Sequence, residues 1–419
     1  MFELLARRPW FRLLWAAGAI SLIGDWLAFV AISRLALDKG GGPLSLALVY
    51  AAHVLPHAWA MPLTGVVADR FDRKRLLVLV PMVQALLTAA MVIPAATGAL
   101  VPLQVLVVVR ATFGAFMPPA EAAALRHTVE PHELVRANAL LGGTWSVMFV
   151  VGMALGGAIA VLGPTMALIL DAGSFVLGAL LAMRLPAMKP PRSIEAPENA
   201  GRSFVFAIPH DLKNAFNHAR HRADLFRAML GKAPVAIAGG AGWILLNLVA
   251  DRAKPLGTAA ISLGILQAVR GAGTGIGPVG VTWFTRGAPP SRTIERLAVI
   301  ISCASIVVFT WNPSMATMLL VTTLFWGIGT GTNWVLSSAN LQRLAPDDMI
   351  GRLSSLDELA ATACLVLGAF IGALLLEAGL TMPQVALAGT SLGMVLFVWL
   401  DQRQPTTPKE LAPADASAS

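Results

Sequence analysis

Twelve stretches of roughly 20 mostly apolar residues follow one another, near 11–36, 44–67, 76–97, 100–120, 138–162, 165–185, 228–250, 257–283, 294–311, 315–338, 355–376 and 380–400. Each is long enough to cross a hydrocarbon layer about 30 Å thick as a helix rising ~1.5 Å per residue. Lipid offers no water to backbone N–H and C=O groups, so a spanning segment satisfies them internally, as a helix. Composition agrees. Of 419 residues, 56% are hydrophobic and 13% charged, with a mean hydropathy of +0.71. A soluble domain carries about 25% charge. The expected fold class is an all-α membrane protein of about twelve transmembrane helices. The opening MFELLARRPWFRLLW is basic then apolar, like a signal peptide. No small-residue cleavage site follows, and the apolar run continues past Asp25 to about Leu37, so it reads as a retained first span. Cys303 and Cys364 lie in separate apolar segments and make neither a disulfide framework nor a metal cluster.

Lys and Arg orient such a chain, because cytoplasmic loops carry the excess of them. Arg7, Arg8, Arg12, Arg70, Arg73, Lys74, Arg75, Arg126, Arg136, Arg286, Arg292, Arg296, Arg343 and Arg352 fall on one side, with the central basic stretch. Lys39, Arg252 and Lys254 fall on the other, with Arg34 a further candidate for it. Both termini and the central loop are therefore expected in the cytoplasm, in a multi-pass protein of a bacterial inner membrane. The net charge of +8 is spread over these short loops. It reads as a topology signal rather than a nucleic-acid surface.

The interval 186–227 is polar. It opens KPPRSIEAPEN and continues HDLKNAFNHARHRADLF, where Leu212, Phe216, Ala219, Ala223 and Phe226 recur at helical spacing. An amphipathic helix on the cytoplasmic surface is expected there, as a passive linker or a regulatory element. It separates an N-terminal six-helix bundle (1–185) from a C-terminal one (228–400). A disordered tail (401–419) is expected to follow.

The halves are related. RHTVEPHELVRANAL (Arg126 to Leu140) matches QRLAPDDMIGRLSSL (Gln342 to Leu356). The offset of about 215 positions that pairs Pro131 with Pro346 also pairs Gly114 with Gly329 and Gly65 with Gly280. Duplicated halves related by a pseudo-two-fold axis place a substrate site between them, near the bilayer midplane.

Between spans two and three lies Gly65-Val-Val-Ala-Asp69-Arg70-Phe-Asp72-Arg73-Lys74-Arg75. A glycine, an acid four residues on and then a basic cluster resemble the signature loop of the major facilitator superfamily. The glycine lets helices approach, and Asp69 can pair with Arg73 at i, i+4. The resemblance implies a gating loop of Gly65, Asp69, Arg70, Arg73, Lys74 and Arg75. The loop would brace span two against span eleven, near Ser354, Ser355 and Asp357. The aligned Gly280-Val-Thr-Trp-Phe284-Thr-Arg286 lacks the acid. FRLLWAAGAISLIGDW, RATFGAFMPPAEAAAL and LILDAGSFVLGALL resemble a bacterial branch of twelve-span drug and siderophore exporters, macrolide-efflux-like and enterobactin-exporter-like. Exporters of the family carry Gly-Pro-x-x-Gly-Gly in span five. Here the segment is Gly152-Met153-Ala154-Leu155-Gly156-Gly157, without the proline. Close helix packing through these glycines is the plainer expectation.

A charge at mid-membrane costs about 2.5–3.5 kcal/mol on insertion scales and normally has a partner or a cavity. Asp25, Arg110 and Arg270 lie near the middle of spans one, four and eight. Arg110 matches the span-four arginine that the resemblance implicates in proton coupling. Asp25 is expected to face it, either as a proton relay or as a static ion pair. Asp171 in span six is a further candidate, or a hydrogen bond to a neighbouring helix. Arg270 and Gln267 are expected to meet an anionic or polar cargo, or a carbonyl. His53 and His57 share a face at i, i+4, a spacing that holds zinc when a third ligand stands near. No HExxH signature accompanies them, and no metal site is expected. Trp26, Trp145, Trp243, Phe325 and Trp334 are expected at an apolar cavity or at lipid interfaces.

The expected function is proton-coupled export of amphipathic small molecules by alternating access. A lipid or lysophospholipid flippase, or an importer of the same fold, is the alternative. A membrane-embedded enzyme is the remote one: it needs clustered acids and histidines at an interface, and His132–Glu133 is the one near candidate. There is no GxxxxGK[ST] loop, and no cofactor is expected. The expected partners are a small-molecule substrate and membrane lipid, without nucleic acid, the chain acting as a monomer.

Overall fold

The structure, a computed structural model, describes residues 2–188, 210, 212–285, 292–346 and 349–403, and these contain helices and no strand. The first half holds α1 (Phe2–Arg7), α2 (Pro9–Asp38), α3 (Gly42–Arg70), α4 (Arg73–Thr97), α5 (Leu100–Gly114), α6 (Met117–Leu125), α7 (Leu134–Ile159) and α8 (Pro164–Met183). Then come α9 (212–220), α10 (Ala223–Met229) and α11 (Ala233–Ala253). The second half continues with α12 (Ala259–Phe284), α13 (Arg292–Phe309), α14 (Ala316–Leu344), α15 (Ile350–Glu377) and α16 (Met382–Asp401). Among the described residues, nine helical segments are long and apolar enough to cross a membrane. The other three expected spans, α3, α12 and α13, are helices of 29, 26 and 18 residues.

Helix pairing repeats from one half to the other. In the first half α2 packs on α7 and α8, α4 on α5 and α8, and α3 on α5. In the second, α11 packs on α15 and α16, α13 on α14 and α16, and α12 on α14. The second set is the first moved on by six spans. The halves meet through α7 against α12 and α3 against α15, again an equivalent pair. This is a pair of six-helix bundles with pseudo-two-fold symmetry. Its outside is apolar: Leu79, Leu86 and Ile93 form a stripe down α4, exposed by 60%, 69% and 71%. Lipid accepts such a stripe where water would not.

Because lipid is as apolar as leucine, the helices associate through close packing. A Cβ on Gly273 of α12 would stand 2.9 Å from Gly327 Cα of α14, and one on Gly240 of α11 would stand 2.7 Å from Ala369 N of α15. Neither pair of helices could close with larger residues there.

Two expected segments are broken. The fourth run, expected as 100–120, stops at Gly114 and restarts at Met117. Pro118 and Pro119 have no N–H to return to the carbonyls of Gly114 and Ala115, so the helix cannot continue through them. The central apolar stripe is likewise interrupted at Arg222, the N-cap of α10. Ala215, Ala219, Leu225, Phe226, Ala228 and Met229 are buried with Leu341, Leu353 and Leu400, while Phe216 stays exposed. The pair α9–α10 is thus seated on the ends of α14, α15 and α16. The expected tail falls largely on 404–419, outside the described residues.

One end of the molecule carries the basic loops, and the other carries the turns after α2, α4, α7, α11, α13 and α15. At this far end the halves are closed on each other. Arg34 of α2 pairs with Asp38 and, across the halves, with Asp251 of α11. The Leu44 N–H donates to Glu377 Oε1 at 3.3 Å. Tyr50 stacks on Trp243 with centroids 4.5 Å apart, and Phe29 lies 5.5 Å from the same ring. The largest apolar cluster runs through both halves here. At the basic end the two clusters stay apart, one built from the first half and one from α9–α10 with the second.

Candidate functional site

Arg110 lies four residues before the break at the end of α5. Its side chain is 2% exposed and enters the space between α2 and α8. Nη1 stands 2.7 Å from Asp25 Oδ1 and 3.1 Å from Asp171 Oδ2. The guanidinium also lies over Phe175, 5.7 Å from the ring centroid and one turn along α8 from Asp171. Asp171 is 0% exposed and Asp25 22%, so Asp25 is the open member. Two carboxylates therefore share one cation, and the group is one proton short of neutrality when both are ionised. Gly24 makes room for it: a Cβ there would stand 2.7 Å from Asp171 Oδ1 and collide with Ser174.

His53 of α3 packs on Trp26, the residue after Asp25 in α2, and the His57 ring lies 6.4 Å from that of His53. His53 is buried against Phe29 and Trp26, at 4.6 and 5.6 Å between centroids. His57 Nδ1 lies 3.3 Å from the His53 carbonyl, and its Nε2 lies 3.3 Å from where a Cβ on Gly114 would stand. Gln84 of α4 reaches the same glycine. No group of three metal-ligating side chains occurs among the described residues.

Toward the basic end, Glu121 of α6 lies over Gly18, in a small cavity with Ser21, Leu77, Pro81, Met117 and Gly178. No cation pairs with it among the described residues.

Arg270 is built differently. Its Nε–H donates to Gln267 Oε1 at 2.9 Å. The guanidinium carbon lies 5.4 Å from the centroid of Phe149, from α7, and 5.2 Å from that of Trp326, from α14. Phe149 belongs to a wider aromatic group, 4.7 Å from Trp26 and stacked at 5.6 Å on Trp145. Among the other aromatic residues named from the sequence, Phe325 is exposed, and Trp334 carries Lys232 Nζ 4.9 Å above its ring.

In the expected gating loop, the side chains of Gly65, Asp69 and Arg70 lie outside the described residues. Asp72 caps α4 by accepting from the Lys74 N–H at 2.9 Å, and it also accepts from the Met188 N–H at 3.3 Å. Arg73 is buried, and its N–H donates to the Met188 carbonyl. Arg75 is exposed. Asp357 and Glu358 are held by Lys232, at 2.7 and 3.3 Å. In span five Gly152 and Gly156 face α2, whereas Gly157 faces Ala260 and Gly264 of α12. Of the His132–Glu133 pair, Glu133 forms a capping box with Glu130, and His132 Nδ1 lies 3.5 Å from Glu130 Oε2. Glu133 Oε2 accepts from the Glu130 N–H at 3.0 Å and pairs with Arg8 at 2.9 Å. These contacts, the backbone one first, hold Glu133 below the usual carboxylate range.

Sequence reasoning missed Gly24, Gln84 and Glu121. Glu121 carried a readable signal, an acid eleven residues after Arg110 in an otherwise apolar segment.

The family description "Major Facilitator Superfamily" matches residues 14–356. The chain is 30% identical over 173 residues to "Uncharacterized MFS-type transporter YfiS" of Bacillus subtilis (strain 168), a match covering 41% of each chain. The chain thus spans about two fifths of the length of that curated relative. Among solved structures it resembles nucleoside transporter NupG, at 14% identity with a TM-score of 0.69, over 94% of this chain and 99% of that one. It also resembles a POT family transporter in complex with 5-aminolevulinic acid, at 9% identity with a TM-score of 0.74, over 94% and 96%.

Proposed function

The chain belongs to the Major Facilitator Superfamily, and from that premise we propose that it exports amphipathic small molecules across a bacterial cytoplasmic membrane in exchange for protons. In this reading it crosses the membrane twelve times, with both termini and the basic end in the cytoplasm. It works by alternating access around the space between its halves. The observation that carries the reading is the group of Asp25, Arg110 and Asp171. A buried guanidinium with two carboxylates accepts one proton as its neutralising charge. Asp25, the open member, exchanges it. Asp171, fully enclosed, keeps Arg110 in place when Asp25 is neutral. His53, packed on Trp26, and His57 complete the set of groups able to move that proton.

The test uses everted membrane vesicles energised by respiration and a panel of amphipathic dyes. Wild type is expected to accumulate at least one dye, and a protonophore is expected to abolish the accumulation. Asp25→Asn is expected to lower gradient-driven uptake by roughly 5–150-fold, the range of a coupling free energy of about 1–3 kcal/mol. Dye–dye exchange is expected to survive. Uptake that withstands the protonophore would end the proton-exchange reading, and gradient-driven uptake that survives Asp25→Asn would end the role given to Asp25. Uptake confined to right-side-out vesicles would make the protein an importer.

A further inference from the structure

Arg110 and Arg270 are both arginines within the spans, one in each half, and only the first is neutralised. Among the described residues no carboxylate lies within 4.0 Å of Arg270. A cation about eleven residues into α12 sits some 16 Å from the far end of that helix, near the midplane of a layer about 30 Å thick. A charge there ordinarily has a partner or a cavity. Arg270 spends one N–H on Gln267 and lays its flat face between two aromatic rings, one from each half. This leaves its other donors unmatched.

The neighbouring groups deepen the imbalance in the same direction. The indole N–H of Trp326 is buried without a hydrogen-bond partner, and so is that of Trp26, whose ring packs on Phe149. Both groups can only donate. Two glycines hold the arrangement. A Cβ on Gly271 would stand 2.7 Å from Phe149 Cε1, so the ring needs a bare backbone beneath it. A Cβ on Gly327, next to Trp326, would run into the Arg270 carbonyl. A surplus of donors around a positive charge, walled by aromatic rings, calls for an acceptor with negative charge and an apolar body.

We infer that Arg270 is the recognition point for an anionic group, carboxylate or phosphate, on an amphipathic cargo whose apolar part lies against Trp145, the ring of this aromatic group that stays exposed. This rests on the proposed transport reading, since it places the cargo in the space between the halves. The site joins rings from both bundles, so an anion there engages the two elements that alternating access moves.

The experiment measures binding without any gradient, so it stands or falls apart from proton coupling. Purified protein in phosphatidylcholine nanodiscs is titrated with radiolabelled indole-3-acetate. The competitors are indole-3-acetate itself and tryptamine, which has the same indole body and a positive charge. A second labelled probe, lysophosphatidic acid, is set against lysophosphatidylcholine. Wild type is expected to prefer an anionic probe over its counterpart by about tenfold or more. Arg270→Gln is expected to remove that preference and Arg270→Lys to keep part of it. Arg270-dependent binding of lysophosphatidic acid alone would support the inference with a lipid headgroup as the source. Equal binding of both anions and their counterparts, no saturable binding of either anion, or an Arg270→Gln protein that binds as wild type would overturn it. If Arg270→Gln does not fold, Arg270→Lys decides the matter: a preference below that of wild type supports the inference, and an unchanged one overturns it.

Discussion

Replacing Arg110 by Leu is expected to destabilise the protein by about 3–5 kcal/mol, the cost of removing one member of a buried ion pair and leaving the other uncompensated. The size follows from Asp171. Its carboxylate is 0% exposed, and Arg110 is its one cationic partner among the described residues. With Leu at 110 it faces Gly24, Ser174 and Phe175, none of which carries positive charge. Asp25 is not enclosed in this way, because 22% of its side chain is already open. Asp171 has no such opening. The measurements are the monodisperse fraction after detergent extraction and the midpoint of thermal unfolding. Arg110→Lys is expected to fall between wild type and Arg110→Leu. A lysine keeps the charge that the two carboxylates share but loses the planar group that lies over Phe175.

The decisive control removes the charges together. Asp25→Asn with Arg110→Leu and Asp171→Asn is expected to recover most of the lost stability, because a neutral set of similar volume avoids burying a lone charge. The same triple variant is expected to show no proton-driven transport. Stability restored without coupling separates what the group does for the fold from what it does for function. Arg110→Leu as stable as wild type would show that the three residues do not act as a unit.

Asp25 and Arg110 were legible in the chain because a charge in the middle of an apolar run stands out. Their geometry was less so. Arg110 and Asp171 are 61 positions apart, and no periodicity reports that α5 and α8 turn those faces to each other. Glu121 was lost for a different reason. The fourth run was expected to end at 120, where an acid reads as the start of a loop. Pro118 and Pro119 break the helix and then restart it, which carries Glu121 into the bundle on α6. Gly24 looked like any small residue, since the space it keeps clear belongs to a carboxylate from another helix. The repeat fared better. Its offset, read from loops, reappears in the matched pairing of helices in the two halves. That pairing is a property of whole segments and tolerates weak similarity at single positions.

Gly264→Leu is expected to abolish transport while leaving the chain inserted and folded. Gly157 and Gly264 cross where α7 meets α12, near the far end. A Cβ on Gly264 would lie 2.7 Å from Gly157 Cα and 2.7 Å from the Met153 carbonyl. A Cβ on Gly157 would lie 2.7 Å from the Ala260 carbonyl and 2.8 Å from Gly264 Cα. All four are backbone atoms, which cannot turn aside as a side chain can. Overpacking of this kind costs about 1–3 kcal/mol. It falls on the arrangement in which the far end is closed. Every 1.4 kcal/mol moves a two-state balance about tenfold, so the closed arrangement would lose most of its population. Under the proposed function that is the arrangement able to load cargo from the cytoplasm. Spin labels at Thr97 and Asn312, at the far ends of the two halves, are expected to move apart in Gly264→Leu, and dye uptake into everted vesicles is expected to fall to background. Gly143→Ala, on the same α7 but with nothing within 4 Å of its added Cβ, is expected to behave as wild type. Unchanged label separation and transport in Gly264→Leu would mean that this crossing does not govern the closure of the far end.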